Sequence, residues 1–410
     1  MSSPSMANLF RNRFVQAILL SELFLQIGIW VRNFSVLLYV VEMTGGDAFA
    51  VSMVSVAEFA PIFIFSFIGG TFADRWPPKR TMIWCDVLSA ISVFAVLFTL
   101  IFGSWKAVFF SILFSAILSQ FSQPAGLKLF KMHVPAEQVQ AGMSIYQTIF
   151  AVFMIFGPVL GTFVYQTFGI QVAIMITGIA FLMSAVALFF LPPDRDMGKE
   201  ETHSTLLQEM AAGIRYVLSK KVLTLLGACF FAAGLAIGLI QPLGVFLVTE
   251  RLGLEKEYLQ WLMTVSGIGM VLGGGLAMVF AKSVAPQKLL AFGMFVDAIC
   301  MAISGISTTP WLTLTAQFFS GLVLPCIQIG INTMILQNTE SQYIGRVNGI
   351  LSPLFTGAMV ITMSIAGLLK NLFSLVAMYE MAGILFIVGL LFILPLYRLP
   401  VATQEPGTDS

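Results

Sequence analysis

Six ionisable side chains fall inside runs that are otherwise apolar: Glu22 and Arg32 in residues 14–41, Glu58 in 48–72, Asp86 in 81–102, Asp297 in 289–306 and Glu380 in 375–397. A charge in such a run is costly, so each is a candidate for function. A carboxylate there can exchange a proton as its access to water changes, and a guanidinium can hold an anion or neutralise a carboxylate. Glu22 lies about eight residues into its run, roughly 12 Å by helical rise, and Arg32 stands about 15 Å further on and off Glu22's face. The two are therefore no same-face pair. Glu58 is near mid-depth in the next run, where a pair with Arg32 becomes possible; Asp297 is equally deep in its own. Each of these carboxylates has a plainer alternative, an interhelix hydrogen bond. Asp86, close to one end, is expected to support the basic loop at Lys79 and Arg80, and Glu380 near the other end to snorkel.

Uncharged amides form a second layer: Gln26, Gln120, Gln241, Gln317, Gln328 and Asn332 also lie in apolar runs. Neutral donors and acceptors among many Phe and Met side chains suit a large amphipathic guest, because few fixed charges enforce one pose. Most of the 38 Phe and 22 Met must simply face lipid or other helices.

The elements that carry these residues follow from composition. Of 410 residues, 58% are hydrophobic and 10% charged, against about 25% charged in a water-soluble domain. A spanning helix needs about 20 apolar residues, and the chain offers twelve such runs: 14–41, 48–72, 81–102, 105–123, 141–163, 170–191, 222–248, 258–280, 289–306, 311–336, 348–369 and 375–397. The first run is far longer than the ~7 to 15 residues of a signal sequence core, so it is expected to stay as a span. With the N-terminus cytoplasmic, sixteen of the 21 basic residues fall in inner segments. Outer loops hold only Lys106, Arg251, Lys256 and Lys370, and Arg32 remains within a span. That bias predicts an even number of spans with both termini inside.

The domain organisation read from this is a six-helix bundle at 1–191, a cytoplasmic linker at 192–221, a second six-helix bundle at 222–399 and a disordered tail at 400–410. The linker opens on Pro192-Pro193 and acidic residues, and its part from 206 to 217 has the spacing of an amphipathic helix lying on the inner membrane surface. The fold class is all-α, a membrane protein of two pseudo-symmetric halves.

The connection between the second and third runs reads Gly69-Gly70-Thr71-Phe72-Ala73-Asp74-Arg75-Trp76-Pro77-Pro78-Lys79-Arg80. It resembles the G-x-L-A-D-R-x-G-R-[KR]-[KR] loop of the major facilitator superfamily, matched at Gly70, Ala73, Asp74, Arg75, Lys79 and Arg80. Phe72, Pro77 and Pro78 depart from it. A small residue there lets two helices approach, and the carboxylate can sit at a helix N-terminus or latch basic residues of an inner gate. In the fifth run, Gly157-Pro158-Val159-Leu160-Gly161-Thr162 resembles the G-P-x-x-G-G element of antiporter branches, with Thr162 in place of the last glycine and Phe153 in place of an upstream one. Gly and Pro so spaced thin one helix face and loosen its backbone. Val134-Pro135-Ala136-Glu137-Gln138 and Gly345-Arg346-Val347-Asn348-Gly349 narrow the resemblance to the group of macrolide-efflux proteins and enterobactin exporters.

The resemblance implies proton-driven export of an organic molecule by alternating access, with a site between the halves at mid-membrane depth. It places the first helix against the central cavity, which makes Glu22, then Glu58, the expected proton carriers, and Arg32 with the amides the expected substrate contacts. It places Asp297 on a peripheral helix, where an interhelix hydrogen bond is favoured. Asp74 is implied to face Gly345 and Arg346 when the protein opens outward. Export of one endogenous metabolite such as a siderophore is the alternative, and a non-transporting receptor the remote one. The expected partners are a small-molecule substrate, protons and the bilayer of the inner (plasma) membrane, with a monomer as the expected state.

Other classes are set aside on what the sequence lacks. No phosphate loop or H-E-x-x-H motif occurs, His133 and His203 are far apart, and Cys85, Cys229, Cys300 and Cys326 all sit in apolar runs as small buried hydrophobes. No cofactor, metal or enzymatic activity is expected. A net charge of +1 without a basic patch argues against nucleic acid.

Overall fold

The computed structural model describes residues 13–102, 105–134, 136–191, 206–280, 283–340 and 343–398, without the side chains of 13, 66–75, 105, 131, 133, 136–141, 206–209 and 397–398. The described residues form helices joined by short turns, with no strand among them. In a bilayer every backbone N–H and C=O must be satisfied within its own segment, which is why uninterrupted apolar runs fold as helices.

The first four helices are α1 (Arg13–Met43), α2 (Ala48–Arg75), α3 (Pro78–Ile101) and α4 (Val108–His133). The prolines that break the resemblance loop have a structural use: Pro77 is extended at the N-cap and Pro78 begins α3, where its missing N–H costs nothing. The next helical stretch, Ala136–Phe189, counts 54 residues. If straight it would reach about 81 Å, well beyond the ~30 Å hydrocarbon core. Gly169 interrupts it with φ 76° and ψ 177°, a conformation that costs glycine little. Two helices result, α5 (136–168) and α6 (170–189), with the break in the gap the sequence predicts.

After α7 (Leu206–Ser219), the second half runs α8 (Lys221–Ile240), α9 (Leu259–Phe280), α10 (Pro286–Ile306), α11 (Pro310–Asn338), α12 (Ile344–Leu372) and α13 (Leu375–Ile393). Beyond Ile240, α8 continues through a 3-10 turn at Gln241–Leu243 and a widened turn at Leu247–Arg251. Eleven stretches are long and apolar enough to cross a membrane, and one of them, Gly142–Phe189, holds both α5 and α6. Twelve spans follow, with α7 as the extra linker helix.

By contact the chain falls into two units. The first comprises Met1–Glu201, Gln241–Gly267 and Met363–Leu375; the second comprises Thr202–Ile240, Ile268–Thr362 and Val376–Ser410. In the first unit, Val15, Ile18 and Leu19 of α1 pack with Met82, Leu129 and Leu188 in a core shared by α1, α3, α4 and α6. In the second, Ala277, Leu289 and Cys326 tie α9, α10 and α11. There α7 lies against α12: Gly213 meets Arg346 and Ile350, and Tyr216 stacks on Tyr343 at 4.1 Å.

Candidate functional site

The candidate chemistry concentrates on α1. Glu22 is half-buried and accepts hydrogen bonds from Gln26 Nε2 at 2.7 Å, one turn on, and from the Tyr146 hydroxyl of α5. Position i+4 shares a helix face, so the Gln26 contact follows from spacing alone; Tyr146 could be found only by knowing which face of α5 turns inward. On the adjoining face of α1, Ser21 Oγ lies 2.7 Å from Ser184 Oγ of α6, which donates to Asp86 Oδ2 of α3 at 2.6 Å. Asp86 thus has a partner in α6.

About 15 Å along α1 by helical rise, a second constellation forms around Arg32, which is 3% exposed. Its Nε donates to Asn33 Oδ1 at 3.0 Å and Nη1 to the Ser111 carbonyl of α4 at 3.4 Å, while the guanidinium stands 6.0 Å from the Phe181 ring centroid in α6. Asn33 Nδ2 in turn donates to Glu58 Oε1 of α2 at 2.7 Å. The structure therefore brings Arg32 and Glu58 together through an amide that the sequence reading passed over. A buried charge must be paired and hydrogen-bonded to be tolerated, and this arrangement satisfies cation and anion at once.

The last turn of α1 carries a third cluster. Glu42 Oε2 accepts from Lys256 Nζ at 2.6 Å and from the Tyr165 hydroxyl of α5 at 2.8 Å, and Lys256 also reaches the Leu38 carbonyl at 3.4 Å. Beside it in the first unit, Lys370 pairs with Glu250 and stands 4.1 Å from the Phe246 ring centroid. Lys256 and Lys370 are two of the four basic residues the sequence assigns to outer loops.

The glycine-proline element of α5 packs against α1. A Cβ on Gly157 would overlap the Trp30 ring, and one on Gly161 would stand 2.7 Å from the Trp30 carbonyl oxygen. Gly157 and Gly161 thus let the two helix backbones close, with Pro158 between them. Thr162, where the pattern has its second glycine, keeps a buried hydroxyl without a hydrogen-bond partner.

The remaining predicted residues divide between the units. Gln120 is half-buried and bonds within α4, to the Ala116 carbonyl at 3.4 Å and Ser119 Oγ at 3.1 Å, and Gln241 is exposed at the 3-10 turn. In the second unit Gln317 is half-buried, Gln328 and Asn332 are exposed, and Asp297 is buried and accepts from Ser320 Oγ of α11. Lys79 binds the carbonyls of Phe189 and Leu191 at the end of α6, the place where a helix has unsatisfied acceptors and its dipole favours a cation. Arg80 is exposed. Gly345 is exposed, and Arg346 stands 5.3 Å from the Tyr343 ring centroid beside the α7 contact. The side chains of Asp74 and Arg75, the surroundings of Gly70, the start of the linker and the tail lie outside the described residues. Among the residues described, no group of His, Cys, Asp and Glu could hold a metal ion.

Comparison with known proteins points one way. The family profile of the Major Facilitator Superfamily matches residues 18–254 and 226–409. An uncharacterized MFS-type transporter of Bacillus subtilis, YkuC, is 24% identical, with 96% of this chain and 94% of that protein covered. The multidrug efflux pump Tap of Mycolicibacterium fortuitum is 26% identical over 81% of this chain and 83% of its own, and macrolide efflux protein A of Streptococcus pyogenes 22% over 87% and 89%. Among solved structures, the nucleoside transporter NupG superposes with TM-score 0.75 at 13% identity, covering 94% of this chain and 100% of that one. A POT family transporter bound to a thioalcohol-conjugated peptide also gives 0.75, at 14% identity, over 95% and 96%.

Proposed function

The chain belongs to the major facilitator superfamily, and from that premise we propose that it is a proton-coupled antiporter exporting amphipathic organic compounds, macrolide-like drugs among them, by alternating access. The observation that carries the reading is the furnishing of α1: a titratable Glu22 held by Gln26 and Tyr146, and a separate group of buried Arg32 with half-buried Asn33 and Glu58. A carboxylate with hydrogen-bonding partners inside a membrane helix can exist with or without its proton, as a coupling site must. The names of the efflux relatives support the drug-like cargo.

Glu22 is the first proton carrier and Glu58 the second, while Asp297 is left to its hydrogen bond with Ser320. Gln26, Gln120, Gln241, Gln317, Gln328 and Asn332 are the polar contacts offered to substrate. Arg32 serves to neutralise Glu58, to which it is joined through Asn33; that favours a weakly charged guest over an anionic siderophore. Gly157, Pro158 and Gly161 allow α5 to move against α1, and Gly70, Asp74, Arg75, Lys79, Arg80, Gly345 and Arg346 belong to the inner gate. The protein works as a monomer in the inner (plasma) membrane with both termini cytoplasmic.

The test is accumulation of labelled erythromycin, ethidium and a catecholate siderophore in efflux-deficient cells, with wild type or Glu22→Gln and with or without a protonophore. Wild type should lower accumulation of erythromycin or ethidium, and both the substitution and the protonophore should abolish the effect. Export that survives the protonophore would reject proton coupling; lowered siderophore alone would reject the drug reading.

A further inference from the structure

One buried carboxylate has no place in the scheme above. Asp86 of α3 is 3% exposed, about 12 Å from the start of its helix, and its bonded partner is Ser184 of α6, which is fully buried. Ser184 is joined to Ser21 of α1, itself 1% exposed. The three side chains form one hydrogen-bonded line across α1, α3 and α6, closed to solvent along its length. At its far end, Ser21 is the residue before Glu22. Successive residues of a helix point about 100° apart, so α1 sends Ser21 toward Asp86 and Glu22 toward Tyr146 from one turn.

The charged group that acts on Asp86 from a neighbouring helix is Glu22, a second carboxylate. Among the described residues, the groups bound to or beside this pair are neutral: Tyr146 and Gln26 donate to Glu22, Ser184 donates to Asp86, and Cys85 lies next to Asp86 on α3. Two carboxylates sharing a low-dielectric region without a cation between them are poorly tolerated when both are ionised, and hold a proton in common more readily than they hold none.

We propose that Asp86 is a second proton-binding site of this protein, linked to Glu22, so that occupancy of one carboxylate sets occupancy of the other. The step is a simple one. A proton entering at Ser21 binds its oxygen, the Ser21 proton passes to Ser184, and the Ser184 proton passes to Asp86 Oδ2, converting carboxylate to carboxylic acid; release runs the same line backward. The hydroxyls are unchanged at the end and no other reactant is needed. The inference deepens the proposed antiport and rests on it for its use in transport, though the proton site can be tested without a substrate.

The experiment is infrared difference spectroscopy across pH on the full chain reconstituted in liposomes, read at the carbonyl stretch of protonated carboxylic acids. Wild type, Asp86→Asn, Glu22→Gln and Ser184→Ala are compared. Asp86→Asn should delete one titrating component. Glu22→Gln should keep that component and move its midpoint by about one pH unit or more, the coupling at which two groups titrate as a pair. Ser184→Ala, which keeps the carboxylate and removes its donor, should move the same component without deleting it, and covers the case in which Asp86→Asn does not fold. A component that Glu22→Gln and Ser184→Ala both leave unmoved, or spectra of Asp86→Asn that match wild type at every pH, would overturn the proposal. Proton-gradient-driven erythromycin uptake in the same liposomes separates the two readings: linkage in the spectra without proton-driven uptake by wild type rejects the antiport and leaves the proton site standing.

Discussion

The opening spans of the two halves make an instructive pair. α1 carries Glu22 and Arg32 within its length and Glu42 in its last turn, each bonded to partners beyond its own helix. α8 opens the second half and has no charged residue after Lys221 up to Ile240. What α8 has instead is glycine: a Cβ on Gly234 or Gly238 would strike the α12 backbone at Phe355 and Met359, and Thr362 of α12 donates to the Leu235 carbonyl at 3.0 Å. α1 adds charged and polar side-chain contacts to its close packing against α5, whereas α8 relies on close backbone packing with α12. The lesson is that α1 concentrates ionisable side chains on which the proposed coupling relies, while α8 is built as a packed scaffold.

That contrast can be broken most sharply at Arg32. Arg32→Ala leaves the half-buried Glu58 without its cation and should cost up to about 3 kcal/mol, the low end for a broken buried pair, read as a large fall in the melting temperature of the purified protein. Adding Glu58→Gln should recover part of it, and a single variant melting like wild type would show that α1 is not held by its charges. Next in size, Gly238→Val must push α12 away and should cost about 1–3 kcal/mol by overpacking, whereas Gly274→Ala, in α9 with open space around it and ordinary helical backbone, is the control for a glycine without a close neighbour. Asp297→Asn keeps an acceptor for Ser320 and should change stability by about 1 kcal/mol or less, with the pH dependence of export preserved; a changed pH profile would return Asp297 to the coupling path. Smallest is Lys256→Ala. Its ion pair with a largely exposed Glu42 should contribute under about 1 kcal/mol and fade in salt, and thermal melts at low and high ionic strength measure both.

The helices were legible because membrane spans are written in composition: the twelve runs, the break before residue 170 and the amphipathic stretch after 206 all stand out in the residue types. The intramembrane charges were legible for the same reason, being rare. Their partners were not. Tyr146, Asn33 and Ser184 are ordinary residues in apolar runs, and only the rotation of each helix about its axis decides which of them meets Glu22, Glu58 or Asp86. Lys79 shows the reverse case. The loop pattern marked it as part of a latch, and its ammonium also binds the carbonyls at the end of α6, acceptors that every helix terminus leaves open and no motif records.

The Gly169 corner bears on how the chain reaches its membrane. Because α5 and α6 are separated by one inverted residue, no polar loop exists between them to be carried across the bilayer on its own. The short connection predicts that the two spans enter the bilayer together rather than one after the other. A residue with a side chain at 169 opposes the inversion and favours one long rod, so the defect expected of it arises during biogenesis, as a chain threaded with every later span reversed.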